Sequence, residues 1–87
     1  MFKKKKSINL SYIKQGLIYF TCMDYKNQPF EVKQKINNLC LEVAGEHHRA
    51  LFAMLTDDTK NIHGIALAHY ISETQLYYYR KKFYESW

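Results

Sequence analysis

Only four residues of this chain, Pro29, Gly16, Gly45 and Gly64, belong to the types that end helices or turn strands sharply. A β-sandwich or barrel needs a turn every 8–12 residues, so the scarcity of breakers excludes those folds and leaves long helical segments. Two of the four bracket one such segment. Pro29 suits a first helical position and Gly45 a stop. Between them Val32, Ile36, Leu39 and Val43 fall at i, i+4, i+7 and i+11, a single apolar stripe.

Upstream, Leu10, Ile13, Leu17 and Phe20 recur at helical spacing with Ser11 as an early cap, which predicts a helix of about four turns. Gly16 and the β-branched and aromatic run from Leu17 to Cys22 compete with that expectation. Downstream, a short helix from Glu46 to Leu55 is predicted to bury Ala50, Leu51 and Met54. Thr56 to Thr59 forms a polar break. Two further helices are expected, Lys60 to His69 and Ser72 to Ser86.

A chain of 87 residues makes one domain with a modest core. With 47% apolar residues it is globular. The formal charge of +5 favours an acidic partner, nucleic acid first. Cys22 and Cys40 lie in apolar stretches and are expected reduced and buried, as in a cytoplasmic protein. No apolar run approaches the roughly 20 residues that cross a bilayer. Lys14 and Gln15 interrupt what would be a signal-peptide core, and no small-residue cleavage site follows. Residues 1–7 are expected to form a flexible basic tail, with Lys3 to Lys6 solvated or serving as a phosphate-binding arm. Residues 8–87 make the single domain.

The last two helices are joined by only Tyr70 and Ile71, which predicts a steep crossing and a helix-turn-helix over residues 60–87. Ala66 is small where the helices must approach. Ile71 is apolar and can plug the space between them. Ser72 with Gln75 three residues on fits a capping box, which restarts the helix. Leu76, Tyr79 and Phe83 then form an inward stripe, and Tyr77 and Tyr78 lie about 100° and 200° around from Leu76. The three consecutive tyrosines therefore do not form one platform.

Ile65-Ala66 followed by Ile71-Ser72-Glu73, with Leu76 and Arg80 beyond, resembles the helix-turn-helix of region 4 in sigma-70-type factors. The stretch from Gly16 to Trp87 is similar to small helix-turn-helix proteins of Firmicutes phages and mobile elements. Two positions depart from the pattern: Tyr70 occupies a turn position often held by glycine, and His69 one usually aliphatic. The resemblance implies a DNA-binding transcription regulator whose second helix enters the major groove by its first turns. Carried over, the DNA-facing set is Ser72, Glu73, Thr74, Tyr77, Tyr78, Arg80, Lys81 and Lys82. Glu73 would accept from cytosine N4, and Thr74 would touch a thymine methyl or a phosphate. The tyrosine hydroxyls would bind phosphates, and the three cations would neutralise them. The set lacks an outward Arg, Asn or Gln in the first turn, so a dimer or a second protein would have to add specificity.

Metal and catalytic chemistry find no footing in the sequence. His63 and His69 are off the i, i+4 spacing, His47 and His48 point about 100° apart, and Cys22 and Cys40 make no Cys-x-x-Cys pair. No metal, cofactor, phosphate loop or catalytic triad is expected, and the chain does not read as an enzyme. Double-stranded DNA is the expected partner. The rival is a protein-interaction module acting on a host protein such as RNA polymerase, since exposed tyrosines beside arginine also make protein hot spots. A homodimer through the Leu10–Phe20 face is a third expectation.

Overall fold

The structure, a computed structural model, describes residues 2–57 and 61–87, and they are all-α. Five α-helices follow in order: α1 (Tyr12–Met23), α2 (Phe30–Ala44), α3 (His48–Thr56), α4 (Ile62–Ala68) and α5 (Glu73–Ser86). Single 3-10 turns, Tyr25–Asn27 and Gly45–His47, lead into the helices that follow them. No strand occurs among the described residues. Helices α3, α4 and α5 pack on one another as a trihelical unit, with α1 against α3 and α2 against both α3 and α5. Ile18, Ile36, Leu51, Leu76 and Phe83 fill the centre.

Local sequence accounts for most helix ends. Ser11 caps α1 by accepting from the Lys14 N–H, and Ser72 caps α5 by accepting from the Gln75 N–H. Pro29 stands at the N-cap of α2, and Gly45, at φ 54°, ends it. Asn61 caps α4 through a 2.6 Å bond from the Gly64 N–H. The expected start of that helix at Lys60, and the second half of the expected polar break, lie outside the described residues.

The α4–α5 joint is a Schellman turn. The Ile71 N–H donates to the Ala66 carbonyl at 3.0 Å and the Tyr70 N–H to that of Leu67 at 3.4 Å. Tyr70 takes the left-handed position, with φ 55°, that glycine usually holds. Ile71 is buried beneath it, next to the small Ala66, as the spacing predicts. Because Tyr70 is 95% exposed, its side chain contributes little that offsets the backbone cost. Tyr70→Gly is expected to leave stability unchanged or to raise it by up to about 1 kcal/mol in urea unfolding. A loss of more than about 1 kcal/mol would show that the tyrosine ring itself holds the turn.

Helix α1 forms where the spacing of Ile13, Leu17 and Phe20 predicts a helix; all three are exposed, and its buried face is Gln15, Gly16, Ile18 and Cys22. One expectation is corrected. Residues 2–7, expected to belong to a flexible basic tail, instead run with Ile8 as a strap over the body (residues 2–8). Phe2 is buried against Gly16, with its ring 5.0–6.2 Å from those of Tyr12, Tyr19 and Phe20, and Ile8 joins the main core. The fully buried Gln15 pins the strap. Its Oε1 accepts from the Lys5 N–H, and its Nε2 donates to the carbonyls of Lys5, Ile8 and Leu10 at 3.0–3.2 Å. These polar groups satisfy one another inside the fold, which is why a glutamine can sit on the inner face.

Candidate nucleic-acid interface

Helix α5 presents its predicted site residues on different sides, and helical geometry explains the division. Taking Leu76 as the inward reference, Phe83 and Tyr84 flank it on the buried side, and all three are sealed. Thr74, Tyr77, Tyr78, Lys81 and Lys82 occupy the outward sector; four of them are exposed and Lys81 is half-buried. Ser72 and Glu73 are exposed at the helix start.

Arg80 does not belong to that outward set. It lies four residues after Leu76 and three before Phe83, so it falls on the inner stripe. Its guanidinium stands 5.0 Å from the centre of the Tyr77 ring, and its Nε is buried with no hydrogen-bond partner among the described residues. It lines a cavity of about 280 Å³ between the strap and helices α1, α3, α4 and α5, together with Lys3, Lys5, Tyr19, Asp57 and Tyr84. Burial holds the Arg80 guanidinium below its ordinary range, although the neighbouring Tyr84 and Tyr77 hydroxyls act the other way. Burial, and then the Arg80 charge, pull the Lys5 ammonium down as well. Lys5 is compensated by aromatic faces, its Nζ lying 5.0–6.0 Å from the ring centres of Phe2, Tyr19 and Tyr84. Lys5 therefore serves the fold, leaving Lys3, Lys4 and Lys6 exposed on the strap.

Glu73 is also engaged. Its Oε2 lies 3.1 Å from His63 Nδ1 on α4, a bond that ties the two helices across the turn. The carboxylate assigned to cytosine recognition is thus shared with a histidine, and reading a base would require that contact to yield. Tyr79, predicted inward, is half-buried, and its hydroxyl accepts from Gln75 Nε2 at 3.0 Å. Tyr78 and Lys82 form one edge of the outward face, with Lys82 Nζ 5.8 Å from the Tyr78 ring centre and both beside Leu39, Glu42 and Val43 of α2. What remains free to meet a polyanion is Thr74, Tyr77, Tyr78, Lys81 and Lys82.

The cysteines are remote from this face. Cys22 and Cys40 are free and buried in the core. Burial pushes both thiols up to about 12, with the neighbouring Cys40 adding to the rise at Cys22. Protonated thiols of this kind are poor nucleophiles and poor metal ligands. Among the described residues no three His, Cys, Asp or Glu side chains gather as a metal site would require. No helix among them is long and apolar enough to cross a membrane.

Sequence reasoning missed two residues that shape the site. Gln15 carries no local signal, because its partners are carbonyls of the segment before its own helix. Tyr84 could have been found, since it falls eight residues after Leu76 and beside Phe83 on the same side of the wheel. Comparison of the chain with family models, with curated proteins and with solved structures finds no match.

Proposed function

We propose that the chain is a cytoplasmic DNA-binding regulator of transcription, in keeping with its resemblance to phage and mobile-element helix-turn-helix proteins. Helix α5 would lie against double-stranded DNA. The observation that carries this reading is the left-handed break at Tyr70 followed by the Ser72 cap. The break turns α5 away from the line of α4 and leaves a run of hydroxyl and ammonium groups, Thr74, Tyr77, Tyr78, Lys81 and Lys82, on its outer side. Hydroxyls and ammonium groups spaced along one helix face suit phosphate oxygens. The net charge of +5 would draw the chain to a polyanion at long range.

With Glu73 held by His63 and Arg80 turned inward, the face contacts backbone more than base edges. Modest sequence discrimination and micromolar affinity follow. Titration of a fluorescent duplex of about 20 bp tests the reading, with saturable micromolar binding at low salt as the expected result. Absence of binding would overturn it.

A second reading has its own support. Leu67 and Tyr70 stand exposed beside the turn and, with His63, Ala66 and Ile71, line an open groove of about 410 Å³. An apolar groove edged by tyrosine suits a protein partner such as the host transcription machinery. Failure to bind DNA, joined to loss of partner binding in Tyr70→Ser, would favour that alternative.

A further inference from the structure

The outer face of α1 carries a row of large exposed apolar side chains. Tyr12, Ile13, Leu17 and Phe20 are 56%, 80%, 60% and 57% exposed. Ile13, Leu17 and Phe20 follow one another at i, i+4 and i+7, so they form one continuous ridge. Beside the ridge runs an open apolar groove of about 360 Å³ whose floor is Gly16 and whose far wall is Phe2 and Tyr12. Scattered exposed hydrophobes need no explanation, but three large ones in register on a single helix, with Tyr12 a fourth across the groove, do.

We infer that this face is the interface of a symmetric homodimer, with α1 packed antiparallel on α1 of a second copy. Three features point to a second copy as the occupant. First, the surface is self-complementary: ridge and groove lie side by side on the same helix, as a twofold interface requires. A twofold axis passing between Leu17 and Phe20 sets Leu17 of each copy on Phe20 of the other and directs each ridge into the opposite groove. Second, the charges match. Lys14 is the only charged residue within α1, and Asp24 follows its last residue, so both ends of the ridge carry a charge, of opposite sign. Antiparallel pairing brings Lys14 of each copy towards Asp24 of the other, at an exposed rim where such a pair sets register more than affinity. Third, the area suffices. Large apolar side chains of about 150–200 Å² exposed to this degree offer on the order of 500 Å² per copy. Two copies together would then bury on the order of 1,000 Å², the lower bound of a specific interface.

This inference is independent of DNA binding, although a dimer would double the number of phosphate contacts and add the specificity that one α5 lacks. Sedimentation equilibrium of the whole chain, without DNA, tests it. The wild type is expected at twice the 10.5 kDa chain mass at about 50 μM. Leu17→Lys, which puts two ammonium groups at the centre of the paired helices, is expected to weaken the dimer by at least about 100-fold with the helical circular dichroism unchanged. Ile13→Lys, at the most exposed position of the ridge, gives the same result if Leu17→Lys disturbs folding. Leu41→Lys, on α2, leaves the dimer intact. A monomeric wild type at 50 μM, or a dimer that survives both α1 substitutions, would overturn the inference. Neither outcome bears on whether α5 binds DNA.

Discussion

Replacing Gln15 by leucine is expected to cost about 3–5 kcal/mol, which for a domain this small is a large share of its total stability. The side chain is fully buried and bonds four backbone groups, so removing its amide orphans the Lys5 N–H and the Leu10 carbonyl and strips one partner from the carbonyls of Lys5 and Ile8, which keep the N–H groups of Ile8 and Leu10. Each buried orphan costs about 1–3 kcal/mol, less where water can reach it. Leucine adds apolar area, but it cannot satisfy any of those groups. Thermal unfolding followed by circular dichroism should show the midpoint falling by more than about 10 °C. Trypsin should cut between Lys3 and Lys6 faster, because the strap loses its anchor before the body unfolds. A cost below about 1 kcal/mol would mean that the strap holds by Phe2 and Ile8 alone.

The second large effect is on binding. Converting Lys81 and Lys82 together to glutamate should weaken duplex binding by about 100-fold at low salt, since the change removes two phosphate-neutralising charges and adds two that repel. Both residues lie on the outer sector of α5, so folding should be unaffected. Arg80→Met supplies the contrast. The arginine sits over Tyr77 within a cavity, with its Nε unpaired among the described residues. Methionine there should leave affinity within about twofold and leave stability unchanged or improved, because burying the guanidinium is costly and its Nε has no partner among the described residues to offset that cost. If Arg80→Met abolishes binding while the lysine reversals are silent, the DNA-facing side of α5 has been assigned to the wrong sector.

Much of the fold was legible because its helix ends are written in short-range chemistry. Pro29, Gly45, Ser11 and the Ser72–Gln75 pair each act within one turn, and each ends or starts a helix where that chemistry places it. Periodicity was less informative about direction. The ridge of Ile13, Leu17 and Phe20 has the spacing of a core face, yet the opposite face of α1 is buried. What decides between them is Phe2 closing over Gly16 and Gln15 binding the strap, contacts that no pattern within the helix can express. Composition marked Lys3 to Lys6 as a tail for the same reason: the four lysines conceal the anchoring role of Phe2 and Ile8 on either side.

The candidate site was legible in part. Tyr77, Tyr78 and Lys82 are outward as their angles from Leu76 require. Arg80 was assigned by its charge when its spacing from Leu76 and Phe83 already placed it inside. Glu73 was invisible as a bonded residue, because its partner His63 comes from the preceding helix and meets it only through the geometry of the turn.

The salt dependence of duplex binding tests the central claim most directly. Equilibrium titrations between about 50 and 200 mM salt should give a log–log slope of about −3 to −5 for the wild type, reduced by about 2 when Lys81 and Lys82 are replaced by alanine. A flat dependence, or a slope that the two replacements leave unaltered, would contradict a phosphate-binding role for the outer face of α5.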